Sequence, residues 1–125
     1  MTEKIRVLLV DDHVLFRSGV RALLERHDDF EVVDEAGDGL EGIKRARSLK
    51  PDLVLLDLHM PGISGLEAVK VIVEEVPGAR VLMLTVSEDA QDLLEALRAG
   101  ASGYLLKNME MDALLDAIRR AAEGD

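Results

Sequence analysis

The chain has 125 residues, enough for one domain around one core, and its 48% hydrophobic and 32% charged residues make an ordinary globular balance. A formal net charge of −10 argues against a nucleic-acid surface, because phosphate backbones are held by Lys and Arg. With no cysteine there is no disulfide framework, thiolate metal site or thiol nucleophile, and no apolar stretch approaches the length of a membrane span.

The N-terminal MTEKIRVLLV carries no cleavage-site pattern, so a cytoplasmic domain is expected. The branched run Ile5–Val10 reads as a first strand, followed by Phe16, Val20, Leu23 and Leu24 on one helical face. Val32–Val33 marks a second strand, and Leu40, Ile43 and Ala46 trace a faint second helix. Leu53–Leu56 is a third strand, entered through Pro51 and left through the Pro61–Gly62 loop. A third helix places Leu66, Val69, Ile72, Val73 and Val76 on one face. Val81–Leu84 is the fourth strand, and Ala90, Leu93, Leu94 and Leu97 define the fourth helix. Gly100 and Gly103 lead into a short fifth strand, Tyr104–Leu106. The last helix carries Met111, Leu114, Leu115, Ile118 and Ala122 inward and ends with Gly124 as its C-cap.

Strand–helix alternation of this kind predicts an α/β fold in a single domain over residues 1–125, a parallel sheet with helices on both faces. The common flavodoxin-like doubly wound sheet of five strands, order 2-1-3-4-5 with five helices, sets strands one and three side by side, and ligands bind beyond their carboxyl ends. In that order Asp11 and Asp12 after strand one meet Asp57 after strand three, with Thr85 closing strand four and Lys107 closing strand five. Adjacent carboxylates repel unless solvent, a helix N-terminus or a cation relieves them.

Each residue also has a plainer reading. Asp11 or Asp12 could cap a helix, Asp57 could serve a turn, Thr85 could bond its own backbone, and Lys107 could be a solvated charge. Their shared placement at one sheet edge favours a site. Carboxylates without Cys, and without His at ligand spacing, suit a hard cation such as Mg²⁺. A carboxylate can also accept a phosphoryl group, whose spreading charge a metal, an ammonium and a hydroxyl stabilise. His13 and His59 flank acidic positions, but neither has a second His at ligand spacing, which argues against a transition-metal site. His27 reads as a solvated cap after the first helix, and Tyr104 as a strand residue packed at the sheet edge.

The stretches LLVDDH, DLHMPG, LTVS and GYLLK resemble the receiver domain of bacterial two-component response regulators. DDHVLFRSGVRALLE, PDLVLLDLHMPGISGLEAV and ALRAGASGYLLKNMEMDALLDAIRRAAEGD resemble the NarL/FixJ subfamily, whose output is a LuxR-type helix-turn-helix. The resemblance covers essentially the whole chain. It implies that Asp57 is the phosphoryl acceptor, that Asp12 binds Mg²⁺ directly with Asp11 assisting, and that the His59 backbone carbonyl completes the protein ligands. It further implies that Lys107 pairs with the phosphoryl group, that Thr85 moves to it, and that Tyr104 follows. The partners implied are a histidine kinase, a DNA-binding output domain in a longer parent, and a second receiver, for which aliphatic patches on helices one and five offer a homodimer face. No direct nucleic-acid or membrane contact is expected of this chain.

Two positions depart from the common pattern. Asn108 follows Lys107 where many receivers have Pro, so a trans peptide bond is expected. Val86 is bulkier than the usual Ala or Gly and is expected to narrow the approach to Asp57. The resemblance implies a switch rather than an enzyme, with self-catalysed phosphoryl acceptance and autodephosphorylation only. An aspartate-nucleophile phosphatase would carry D-x-D after strand one, and a nucleotide-binding module would need a Gly-rich turn there; VDDHVLF has neither. Whether the chain is excised from a longer regulator or stands alone stays open, with excision the expectation.

Overall fold

The computed structural model describes residues 4–124. The elements run β1 (Ile5–Val10), α1 (Val14–Glu25), β2 (Phe30–Ala36), α2 (Gly39–Leu49), β3 (Leu53–Asp57), α3 (Gly65–Glu75), β4 (Arg80–Thr85), α4 (Ala90–Ala99), β5 (Gly103–Leu106) and α5 (Met111–Ala122). All strand pairings are parallel, in the order β2-β1-β3-β4-β5. This is the expected doubly wound sheet.

Strand sequence explains the layering. Side chains alternate across a strand, so Leu8 and Val10 enter one cluster while Val7 and Leu9 enter the other. The first cluster lies under α2, α3 and α4; the second lies under α1 and α5. β1 and β3 are central and sealed on both sides, with Val7 to Val10 and all of β3 buried, which is why they read as continuous apolar runs.

β2 is longer than the Val32–Val33 run predicted. It is an edge strand, half-buried along Val32 to Glu35, so polar residues are tolerated in it. Its register on β1 slips between Val7 and Leu8, leaving Val33 unmatched as a bulge. The faint second helix is real, because Asp38 caps it by accepting the Glu41 N–H at 2.8 Å. Leu40, however, is exposed, and Gly42 lies against Val10 in its place.

α4 departs most from its predicted face. Ala96 is its buried residue, while Leu94 and Leu97 stand 46% and 44% exposed. At the sheet edge a small side chain lets the helix lie close, and the larger Leu residues turn outward. On α5, Met111 at the first turn is exposed rather than inward, and Ala121 is buried in place of the expected Ala122. Gly124 lies one residue past the C-cap Glu123, at φ 87, the left-handed position where glycine is favoured. His27 follows the C-cap of α1 and donates its N–H to the Leu24 carbonyl at 3.0 Å; it is half-buried, its ring Nδ1 3.3 Å from Arg119 Nη2 beside the two-armed Arg119–Asp29 pair. No peptide bond is cis among the described residues, as expected for Lys107–Asn108.

Candidate functional site

Because every strand points the same way, the ends of β1, β3, β4 and β5 open on one edge, and β1 lies beside β3. Asp11 and Asp57 are buried there, at 4% and 2% exposure, and Thr85 is sealed completely. Asp12 is half-buried. Asp11, Asp12, Asp57 and His13 can each bring one donor atom within 4.8 Å of the others.

The chain supplies its own cation. Lys107 Nζ lies 2.8 Å from Asp11 Oδ2 and 3.3 Å from Asp57 Oδ2, with its side chain only 7% exposed. It is carried on the Phe16 ring, 4.8 Å from the centroid, a cation–π contact that orients the ammonium without neutralising it. The adjacent acids after β1 are thus partly relieved by an internal ammonium. Helix capping plays no part, because the N-cap of α1 is His13. Asp11 Oδ1 instead accepts the His13 N–H at 2.8 Å and shapes the loop.

One ammonium against three carboxylates leaves a deficit. Asp11 Oδ2, Asp12 Oδ1 and Asp57 Oδ2 are buried without a hydrogen-bond donor. Lys107 approaches two of these oxygens closely enough for charge attraction but not in hydrogen-bonding alignment. Burial first, and the Asp11 charge second, push the Asp57 carboxyl up to about 6 from 3.8, against the opposing pull of Lys107 and the His59 N–H. Orphaned buried carboxylate oxygens are donors that fit a hard divalent cation.

Further residues hold the site in place. Gly65 donates its N–H to the Leu58 carbonyl at 2.9 Å, and a Cβ there would fall 2.7 Å from Leu58 Cα and against the Asp57 carbonyl. Only glycine lets α3 start this close to the acid-bearing loop. Arg17 on α1 donates to the Asp11 carbonyl at 2.6 Å while its Nε holds Glu35 of β2 at 2.8 Å. Neither Gly65 nor the Arg17–Glu35 pair stands out by spacing. Their signal is three-dimensional.

Thr85 and Tyr104 meet the same loop. Thr85 Oγ1 accepts the Ser87 N–H at 3.0 Å, the local backbone bond allowed for it, and the Tyr104 hydroxyl donates to the Ser87 carbonyl at 3.1 Å. Tyr104 is half-buried against the α2–α4 side of the core. His59 donates its N–H to Asp57 Oδ1 at 3.3 Å, while its ring is exposed and 3.9 Å from Asp92. Val86, expected to narrow the approach to Asp57, is 74% exposed and belongs to neither core cluster.

A doubly wound sheet with an acidic, lysine-bearing pocket at its switch point is the architecture of a signal-receiving α/β domain. The model of the response regulator receiver domain matches residues 7–119, and the chain belongs to that family. It is 47% identical, over its whole length, to a nitrate/nitrite response regulator protein homolog of Haemophilus influenzae, covering 60% of that protein. It is 46% identical to the nitrate/nitrite response regulator NarL of Escherichia coli K12, with 98% of this chain and 57% of that one aligned. The chain therefore spans somewhat over half the length of these relatives. Among solved structures, the signal receiver domain of a response regulator from Mycobacterium tuberculosis superposes with a TM-score of 0.93 at 34% identity, covering 99% of this chain and 100% of that one. A LuxR-family two-component response regulator from Aurantimonas gives a TM-score of 0.91 at 38% identity, over 98% and 87% of the two chains.

Proposed function

We propose that this receiver is a phosphorylation-controlled switch in which Asp57 accepts a phosphoryl group from the phosphohistidine of a histidine kinase. The observation that carries the reading is Asp57 itself: a buried carboxylate with one oxygen lacking a donor, facing Lys107 and beside Asp11. An Asp57 oxygen forms the bond to phosphorus while the phosphorus–nitrogen bond breaks, and its electron pair returns to the departing imidazole. Lys107 offers a fixed positive charge to the transferred group.

Asp12 and Asp57, with Asp11 and the His59 carbonyl assisting, would hold Mg²⁺. When bound, the ion neutralises charge on the phosphoryl oxygens and opposes the two effects that raise the Asp57 carboxyl. Thr85 would leave the Ser87 N–H to donate to a phosphoryl oxygen, and Tyr104 would reorient as that loop moves. Loss of the group by hydrolysis on the same residues would reset the switch.

The receiver would govern a helix-turn-helix DNA-binding domain in a longer parent, as the length of its relatives supports. It would act in the cytoplasm; no helix among the described residues is long and apolar enough to cross a membrane. A receiver–receiver contact would use α1 and α5, where Val14, Leu15 and Met111 are exposed. Specific DNA binding by this chain alone is not expected at a charge of −10.

Incubation with phosphoramidate and Mg²⁺, followed by intact mass measurement, tests the central step. One labile phosphoryl adduct is expected on the native chain and none on Asp57→Asn. A stoichiometric adduct on that variant overturns the assignment.

A further inference from the structure

We infer that His13 is a nitrogen donor of the acidic pocket, making it a mixed oxygen–nitrogen site that favours borderline transition cations over Mg²⁺. The inference rests on the cation-binding reading of that pocket and adds a ligand to it. The lack of a second His at ligand spacing argued against such a site, but a nitrogen donor need not be paired when carboxylates fill the other positions.

Distances carry the first part of the argument. His13 Nδ1 lies 3.2 Å from Asp11 Oδ1, 3.6 Å from Asp12 Oδ1 and 3.7 Å from Asp57 Oδ2. Neighbouring donors on one ion with ~2.1 Å bonds stand about 3.0 Å apart in an octahedron and about 3.4 Å in a tetrahedron. The imidazole nitrogen therefore lies within about 0.3 Å of the tetrahedral spacing from all three acids.

The second part concerns the lone pair. Nδ1 is also 2.8 Å from Lys107 Nζ, and an ammonium has donors only. In that contact the ammonium can only donate, so the lone pair of Nδ1 is the acceptor, placed beside the three carboxylates. A bound cation would take over this lone pair from Lys107. Independently, the three buried carboxylate oxygens lacking a donor face the same space, two of them on side chains at least nine-tenths buried. His59 offers no equivalent: both rings are more than half exposed, but that of His59 lies by Asp92, 3.9 Å away, and is not among the four clustered donors.

Hard Mg²⁺ gains little from an imidazole, whereas Co²⁺, Ni²⁺ and Zn²⁺ gain much. Oxygen-only sites also rank Co²⁺ above Mg²⁺, so the informative quantity is how the affinity ratio responds to His13. Untagged protein at fixed pH is titrated calorimetrically with Mg²⁺ and with Co²⁺, and the visible Co²⁺ spectrum is recorded. Because His13 makes no side-chain capping bond, His13→Asn and His13→Ala should fold normally. Both should lower the Co²⁺-to-Mg²⁺ affinity ratio at least tenfold, and the nitrogen-sensitive Co²⁺ bands should move toward those of the aqua ion. An unchanged ratio and spectrum in both variants, with Asp12→Ala abolishing binding of either ion, would overturn the role of His13 alone. Unchanged binding of both ions in Asp12→Ala would overturn the underlying pocket as well.

Discussion

The Tyr104 hydroxyl donates to the Ser87 carbonyl across 3.1 Å, while the N–H of the same Ser87 donates to Thr85 Oγ1 across 3.0 Å. One residue of the β4–α4 loop thus ties the hydroxyl at the end of β4 to the ring on β5. Ser87 is itself anchored, its hydroxyl donating to Asp92 of α4 at 2.6 Å. A displacement of Thr85 must release Ser87, and Tyr104 loses its acceptor geometry in consequence.

Thr85→Val keeps the volume and removes the acceptor of the Ser87 N–H. The unpaired loop donor should cost about 1 kcal/mol of stability. Phosphoramidate should still label Asp57, but the phosphorylation-induced chemical-shift changes around Tyr104 and α4 should largely disappear. Their persistence at full size would disprove coupling through Thr85.

The raised Asp57 carboxyl makes stability depend on pH in a defined direction. A carboxyl titrating near 6 in the folded chain, against 3.8 ordinarily, holds more protons folded than unfolded between those values. Stability in metal-free buffer should therefore fall as pH rises from about 4 to 6 and level off above. Asp57→Asn should be more stable than the native chain at pH 8 by as much as about 3 kcal/mol, the equivalent of the shift. Urea unfolding at pH 5 and pH 8 reads the difference, which should shrink when Mg²⁺ is added to both proteins.

Lys107→Met removes the ammonium that faces Asp11 and Asp57. At pH 8 without metal this should destabilise the fold by up to about 3 kcal/mol, since two buried carboxylates are left without their counter-charge. Near pH 5 the loss should be much smaller, because Asp57 can take up a proton instead. Equal losses at both values would mean that Lys107 acts through packing on Phe16 rather than through charge.

Gly65→Ala should be a severe substitution for so small a change. The new methyl meets Leu58 Cα at 2.7 Å and Leu58 O at 2.8 Å, backbone that cannot step aside cheaply. A loss of about 2 kcal/mol or more is expected, with slower labelling of Asp57 as its loop shifts. Ala substituted at Gly78, where a Cβ meets nothing within 4 Å, serves as the neutral control.

What the sequence determined by itself followed from period and burial. β1 and β3 announce themselves because both faces are covered, and the acids after them follow once parallel order puts their ends side by side. Pairwise geometry was not legible, because it depends on contacts between residues far apart in the chain. β2 hides in the sequence because an edge strand tolerates Asp34 and Glu35, and only the fold turns Glu35 toward Arg17 and Arg21. The face of α4 was misread because helical spacing says which residues share a side, not which side a sheet edge accepts; Ala96 fits there and Leu94 does not. His13 looked isolated in a list of residues. Only the loop after β1, shaped by Asp11 and crossed by Lys107 from β5, brings its ring nitrogen among three carboxylates.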